Sequence, residues 1–139
     1  MDSSPKQVEN AMQKSLDFTT LLSDAHSNFT ESTEQLVTSQ EALNSIFAKV
    51  NSTRKPGIPI PEVDFKQHEV FFYAPGEVSH GVEGLQVASV IKEKNVIAVT
   101  LVAGKSQGKY ATTVMSQPCV MITYKKQGLP VVVKSAAQE

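Results

Sequence analysis

Several residue types that usually mark a function are scarce in this chain of 139 residues. It contains one cysteine, Cys119, no tryptophan, and only 6% aromatic residues. A single cysteine excludes an internal disulfide and fits a reducing compartment or a particle assembled inside a cell. No apolar run approaches the roughly 20 residues that a membrane-spanning helix needs, and residues 1–5 (Met-Asp-Ser-Ser-Pro) lack the features of a secretion signal. We therefore expect no signal peptide, no membrane insertion and synthesis in the cytoplasm, from where the chain could enter a virus or phage particle.

A strong charge of either sign is also missing. The net charge is −1; residues 1–55 hold five Lys/Arg against seven Asp/Glu, and the remainder holds eight against seven. Long-range attraction to nucleic acid or to an anionic membrane requires a concentrated basic face. This balance disfavours both as partners.

Helix breakers are absent from most of the N-terminal part. Ser4 suits a helix cap, Pro5 the first helical position, and Gln7 the third helical position, where a capping box has Glu or Gln. No proline or glycine then lies before Pro56. A stretch of this length could form one helix of roughly 70 Å at 1.5 Å per residue.

Apolar residues recur at intervals of seven in this stretch. The column that begins at Val8 and ends at Val50 is apolar at six of seven positions, and the column from Ala11 to Ile46 at four of six. A strict period of seven predicts a left-handed coiled coil. The stripe is broad and its flanks show no alternation of Glu with Lys, which favours a homotrimer over a dimer. The predicted oligomer interface comprises Val8, Phe18, Leu22, Phe29, Leu36, Leu43, Ile46 and Val50.

An antiparallel helical hairpin within one chain is the alternative for this segment. The run at residues 23–28, Ser-Asp-Ala-His-Ser-Asn, is poor in helix formers and could hold a turn. The seven-residue repeat passes through this run without a change of phase, and we therefore favour a continuous coiled coil.

The composition changes abruptly after residue 51. Three prolines stand within residues 56–61, which forbids a helix and favours an extended strap. Beyond the strap, Val, Ile, Thr, Tyr and Phe with glycine-marked turns predict a small β unit. Ile58 and Ile60 lie between the prolines, so we expect the strap to lie against this β unit. Its predicted strands are 67–74, 83–91, 95–104, 109–116, 119–125 and 129–134.

The predicted fold class is thus α+β by segments. A long coiled-coil oligomerisation helix covers residues 1–51, a proline-rich linker residues 52–64, and a small antiparallel barrel or sandwich residues 65–139. Residues 96–103 are apolar on both alternating faces, which predicts a strand covered on both sides. Either a central position or a neighbouring subunit could provide this cover, and the shortness of the chain favours the neighbour.

Residues able to support chemistry are few. Cys119 could pair with His68 or His80, but it stands in an apolar strand, where cysteines usually serve packing. The three histidines are too scattered for a metal site. Gly104-Lys105-Ser106 resembles part of a phosphate-binding loop, yet Val99 stands where that motif needs a glycine. We expect no catalytic residue, cofactor or metal, and candidate partner-binding residues at Phe72, Lys105, Ser106 and Gln107.

A nucleic-acid-binding module with an oligomerising helix is one alternative function. Aromatic residues for base stacking and lysines for phosphate are interleaved in the β unit. The aromatic residues of interest are Phe71, Phe72, Tyr73, Tyr110 and Tyr124. Consecutive residues of a strand point to opposite faces, so we expect at least one of the first three to point outward or to an interface. The other interpretation makes the aromatics core and the lysines guards of turns and edges.

The function that these observations favour is a non-enzymatic structural or interaction protein. A coiled-coil stalk would set the copy number, and β heads would present loops to another protein with raised avidity. A homo-oligomeric virus or phage component, such as a short fibre, spike or decoration protein, has this layout. A second alternative is an intracellular adaptor whose helix pairs with another protein's helix.

Overall fold

The computed structural model describes residues 14–78, 85–103 and 115–135. Along the chain, the elements are β1 (Lys14–Ser15), β2 (Phe18–Asp24), β3 (Thr33–Val37), α1 (Gln40–Val50), a 3-10 turn (Asn51–Thr53), β4 (His68–Ala74), β5 (Leu85–Lys92), β6 (Ile97–Ala103), β7 (Cys119–Lys125) and β8 (Val131–Ser135).

The strands form two four-stranded sheets. Sheet A has the order β1-β5-β6-β8, and sheet B has the order β2-β7-β4-β3. Neighbouring strands are antiparallel, except that β6 and β8 are parallel. The chain forms β7 in sheet B between these two strands and then returns to sheet A, so β8 runs in the same direction as β6. The predicted purely antiparallel arrangement is corrected at this pair.

Sheet B is the middle of three layers, between sheet A and α1. Alternate residues of β4 and β7 face opposite ways, and both faces are apolar, as a sheet covered on both sides requires. The first core cluster, on the α1 side, includes Leu22, Val37, Leu43, Ile46, Phe47, Val50, Val70, Phe72, Ala74, Cys119 and Met121. The second core cluster, between the sheets, includes Phe71, Leu85, Val90, Ile97, Val99, Leu101, Val120, Ile122 and Tyr124.

The predicted long coiled-coil helix is wrong. In the described residues before the proline strap, α1 covers 11 residues, Gln40–Val50, and the rest of this segment contributes strands β1, β2 and β3. Strand β2 pairs with β7, and β3 pairs with β4. Strands from before and after the strap therefore share sheet B. The alternative helical hairpin is wrong for the same reason.

Local composition explains why the seven-residue repeat did not produce a helix. Of residues 14–39, 13 of 26 are Ser, Thr, Asn or Asp, whose side chains hydrogen-bond to nearby backbone and favour turns and caps over helix interiors. Phe18 and Leu22 have the same spacing as helix neighbours, but they lie on β2. The register of β2 shifts between Thr20 and Leu22, so Phe18 packs against the second cluster and Leu22 enters the first.

Helix α1 begins after a capping residue, Ser39, that is followed by apolar residues at helical spacing. The Ser39 side chain accepts a hydrogen bond from the Ala42 N–H at 3.1 Å, which satisfies one of the free N–H groups of the first turn. The apolar positions of α1 are spaced by three and four, and they place one stripe against sheet B. The final part of the seven-residue repeat therefore reflects an amphipathic helix, which is too short to be a stalk.

The loop after β2 is fixed to the end of α1 by Asn28. Its φ of 70° is one that asparagine tolerates better than most residues. Its Nδ2 donates to the Lys49 carbonyl at 3.1 Å and to the Val50 carbonyl at 3.2 Å. These are among the carbonyls that a helix leaves without partners at its C-terminus. Residues 23–28 thus lead into a loop, as their composition indicates.

The proline strap is bound along α1 at both ends of the helix. Asn51 Nδ2 donates to the Ile58 carbonyl at 3.0 Å, and its Oδ1 accepts from the Ile58 N–H at 2.7 Å. At the start of α1, Gln40 Nε2 donates to the Pro61 carbonyl at 3.0 Å, and Oε1 accepts from the Val63 N–H at 3.2 Å. Ile58 and Val63 pack against the first core cluster. The strap therefore closes the outer side of this cluster.

The strand predictions after the strap correspond to what the structure shows. The ranges 67–74, 83–91, 95–104, 119–125 and 129–134 match β4, β5, β6, β7 and β8 within a few residues. The range 109–116 lies mostly outside the described residues. Gly76 and Gly128 have φ of 103° and 70°, as the predicted glycine-marked turns require. The apolar strand predicted at 96–103 is β6, which lies between β5 and β8.

Candidate functional site

Most of the residues predicted to form a coiled-coil seam pack instead in or against the core of their own chain. Four are buried in the first core cluster: Leu22, Leu43, Ile46 and Val50. Phe29 packs against this cluster and Phe18 against the second. Leu36 is half-buried on β3, and Val8 lies outside the described residues. The apolar side of α1 is thus covered by its own chain, which removes the argument for a trimer and for pairing with an adaptor's partner helix.

The candidate partner-binding residues divide into a buried one and three that lie outside the described part. Phe72 has an exposed fraction of 0%, and its ring centroid lies 4.9 Å from that of Phe29. Lys105, Ser106 and Gln107 are outside the described residues. Phe72 is inaccessible because sheet B is covered on both faces. Phe71 and Tyr124 are also buried, at 3% and 1% exposure, so these three rings are unavailable for stacking on a base.

Cys119 is placed where it has little reactivity. It is fully buried on β7, directly opposite Asp24 of β2. Burial, and secondarily the charge of the Asp24 carboxylate, raise the pKa of the Cys119 thiol to about 12. The reactive form of cysteine is the thiolate, which this position disfavours at neutral pH.

The raised pKa values of Cys119 and Tyr124 predict that the fold loses stability at alkaline pH. Burial and the charge of Glu69 raise the pKa of Tyr124 above its usual value. In the unfolded chain the two groups titrate near ~8.5 and ~10, so above these values the unfolded state binds fewer protons than the folded one. The free energy of unfolding should then fall by up to about 1.4 kcal/mol per pH unit for each group, until the pH passes the folded pKa.

Urea denaturation at a series of pH values measures this loss. Cys119→Ala should flatten the slope between about pH 8.5 and 9.5, where, of Cys119 and Tyr124, mainly the cysteine titrates in the unfolded chain. An unchanged slope in this variant would assign the alkaline sensitivity to other groups.

The outer face of sheet A carries a row of apolar side chains across three strands. Ile91 of β5 lies opposite Ala98 of β6, and Ala98 lies opposite Val132 of β8. Ile91 is half-buried, Ala98 is 3% exposed and Val132 is 39% exposed. The three residues belong to neither core cluster. We call these residues the outer row.

Two open clefts lie side by side at one end of the sandwich, where the chain passes from β1 in sheet A to β2 in sheet B. The first, the lysine cleft, has a volume of about 250 Å³ and is lined by Lys14, Ser15, Leu16, Asp17, Lys92, Lys125 and Gln127. The second, the tyrosine cleft, has a volume of about 220 Å³ and is lined by Asp17, Phe18, Thr19, His68, Thr123, Tyr124 and Lys125. They share Asp17 and Lys125.

Buried polar groups lie beside these clefts. Glu69 of β4 is directly opposite Tyr124 of β7, and each is 1% exposed. The Tyr124 hydroxyl faces the Glu69 carboxylate, and the pKa of Tyr124 is raised by burial and then by the charge and hydrogen bonding of Glu69. However, neither the hydroxyl nor Glu69 Oε2 has a partner at standard hydrogen-bond geometry among the described residues. A contact of poor geometry between two buried polar groups only partly offsets the cost of burying them.

Comparison with known proteins gives no relative from which a function could be transferred: no family model, curated protein or solved structure matches this chain. Within residues 14–78, 85–103 and 115–135, no three His, Cys, Asp or Glu side chains are grouped as metal ligands. Of the helical elements in the same ranges, none has the length and apolarity needed to cross a membrane.

Sequence reasoning missed both the outer row and the lysine cleft. The members of each come from separate strands, and only the pairing register brings them together. Ile91, Ala98 and Val132 are ordinary apolar strand residues when they are considered one at a time. Lys14 lies in the segment predicted to be helical, and a helix would not have paired with the strand that contains Lys92.

Proposed function

We propose that this chain is a non-enzymatic structural protein that assembles with a second copy of itself through sheet A. The observation that carries the proposal is the outer row, which continues to the edge of the sheet at Val132. An edge strand presents unpaired backbone N–H and C=O groups that can pair with a strand of another chain, and apolar side chains on that edge favour such pairing. Assembly through sheet A takes the place of assembly through the predicted coiled-coil stalk. The proposal does not require a virus or phage particle, because the suggestion of such a particle rested on the stalk.

The edge strand β8 suits pairing with its own copy. It is the last strand of sheet A, with β6 as its partner. If two copies of β8 pair antiparallel about a two-fold axis at Val132, each Val132 meets its copy. The outer rows of both chains then form one stripe, Ile91–Ala98–Val132 followed by its reverse. A two-fold interface requires such self-complementarity.

Charge does not oppose this pairing strongly. Lys134 is the charged residue of β8, and its Nζ lies 3.5 Å from Glu93 Oε2 of the same chain. With Val132 on the axis, Lys134 of each copy faces Pro130 of the other. Edge lysines usually prevent unwanted pairing; here the lysine is partly neutralised and lies away from the axis.

The test is the oligomeric state of the chain and of two matched variants. Sedimentation velocity over roughly 1 to 100 µM should show a dimer for the unaltered chain, and Val132→Glu should raise its Kd at least about 100-fold, or about 2.7 kcal/mol, because two carboxylates would meet in an apolar contact. Ile60→Glu is the control, since Ile60 is similarly exposed at 41% but lies in the strap. Its Kd should not change.

Two results would contradict the proposal. One is a monomer at every concentration of the unaltered chain. The other is a dimer that Val132→Glu leaves intact while both variants melt at the same temperature, which would place the interface elsewhere.

A further inference from the structure

We infer that the lysine cleft is a binding site for a small molecule that carries a phosphate group. Three lysines, Lys14, Lys92 and Lys125, line one cleft of about 250 Å³. They come from three strands, β1, β5 and β7, in both sheets. The fold therefore brings together charges that are far apart along the sequence.

The strand register places basic residues opposite each other, which is unfavourable unless something compensates. Lys14 is directly opposite Lys92 in sheet A. Like charges at directly opposed positions destabilise a sheet. This pair lies at the end of the sandwich where Lys125 also lines the lysine cleft.

No ion pair within the described residues neutralises these lysines. In the part of the chain that the structure describes, ion pairs join Arg54 to Asp24 and Lys134 to Glu93, and neither includes a lysine of the cleft. Asp17 is the carboxylate in the lining, so three lysines and one aspartate leave a net charge of +2 (3 − 1). A bound anion would remove the repulsion between Lys14 and Lys92.

The chemistry of the lining favours a phosphate over a carboxylate. A phosphate monoester carries nearly two negative charges at neutral pH and three strong acceptor oxygens, which corresponds to an excess of two positive charges. Lysines bind phosphate as point charges from several directions. Ser15 adds a hydroxyl to the lining, and Gln127, whose Nε2 donates to the Lys125 carbonyl at 2.8 Å, retains a second amide N–H. A single carboxylate would balance only half of the excess.

The site is independent of the proposed assembly. Strand β1 is at one edge of sheet A and β8 at the other, so the ligand and a second copy would occupy opposite edges. Binding should therefore persist in Val132→Glu whether or not the dimer exists.

The experiment is a titration of the full chain with inorganic phosphate and with pyrophosphate at low ionic strength, followed by NMR chemical shifts. We expect saturable binding, with pyrophosphate tighter than phosphate, and shifts concentrated at residues 14–17, 92 and 125–127. Lys92→Gln and Lys125→Gln should each weaken binding about tenfold. Lys49→Gln is the control, because it removes the same charge from the exposed side of α1, and its Kd should stay within about twofold.

The melting temperature provides a second measurement, which distinguishes a ligand-binding lysine from a lysine that only stabilises the fold. Lys92→Gln should raise the melting temperature of the free protein slightly, because it removes the Lys14 repulsion, while it weakens phosphate binding. Equal weakening by Lys49→Gln, or no saturable binding of either probe, would overturn the proposal. Binding of an oligonucleotide or of phosphatidylserine vesicles without binding of either probe would also overturn it, because the partner would then be a macromolecule or a membrane.

Discussion

Leu43→Asp is expected to unfold the whole domain. Leu43 is fully buried in the first core cluster, between α1 and sheet B. Truncating a buried leucine costs about 2–5 kcal/mol, and an unpaired carboxylate in the same place adds several more. Because whole domains have about 5–15 kcal/mol of stability, this single change should remove most or all of it. Far-UV circular dichroism and urea denaturation measure the loss.

The matched control for this variant is Ser45→Asp, which places the same side chain on the exposed side of the same helix. Its free energy of unfolding should stay within about 0.5 kcal/mol of the unaltered chain, as surface substitutions usually do. A coiled-coil seam would give a different result for Leu43→Asp, namely a loss of oligomers with a folded β unit. A folded monomer of Leu43→Asp would therefore contradict the three-layer fold.

The strands after residue 65 are predictable from the sequence because their signals are local. Strands β4 to β8 are bounded by turn residues such as Gly76 and Gly128, and β-branched and aromatic residues fill them. The strap is also predictable, because three prolines within residues 56–61 exclude a helix under any tertiary contacts. What the local pattern leaves open is the partner of each strand.

The helical prediction for the first 50 residues is wrong because two signals conflict there and the seven-residue repeat is the weaker one. A seven-residue repeat in which one position is polar can arise by chance, from residues that belong to different secondary-structure elements. Here Phe18 and Leu22 lie on a strand, Phe29 lies in a loop, and Leu43 belongs to a helix. The abundance of Ser, Thr, Asn and Asp is the better guide, since it opposes a helix at each residue. The segments of β2 and β3 become strands because they pair with β7 and β4, and this tertiary pairing is not visible in the local sequence.

The candidate sites are less predictable than the fold. The outer row and the lysine cleft both depend on register, and shifting a strand by one residue would exchange its two faces. Lys92 and Lys125 stand out as basic residues in the sequence, but they belong to strands of different sheets. Their approach requires the two sheets to be stacked with the chain crossing between them after β1, and neither feature has a local signal.

Phe72→Ala is expected to lower the free energy of unfolding by about 3–5 kcal/mol, the usual range for a buried phenylalanine. Phe72 contributes to the layer between sheet B and α1, where its ring packs against Phe29. Loss of the ring leaves a cavity beside Phe29 in this layer, and the packed surroundings relax only partly. Ile60→Ala is the control, because Ile60 is 41% exposed, and it should cost less than about 1 kcal/mol. Urea denaturation of both variants separates the two interpretations of Phe72: a surface residue that serves a partner would leave the stability unchanged, whereas a core residue would lower it by several kcal/mol.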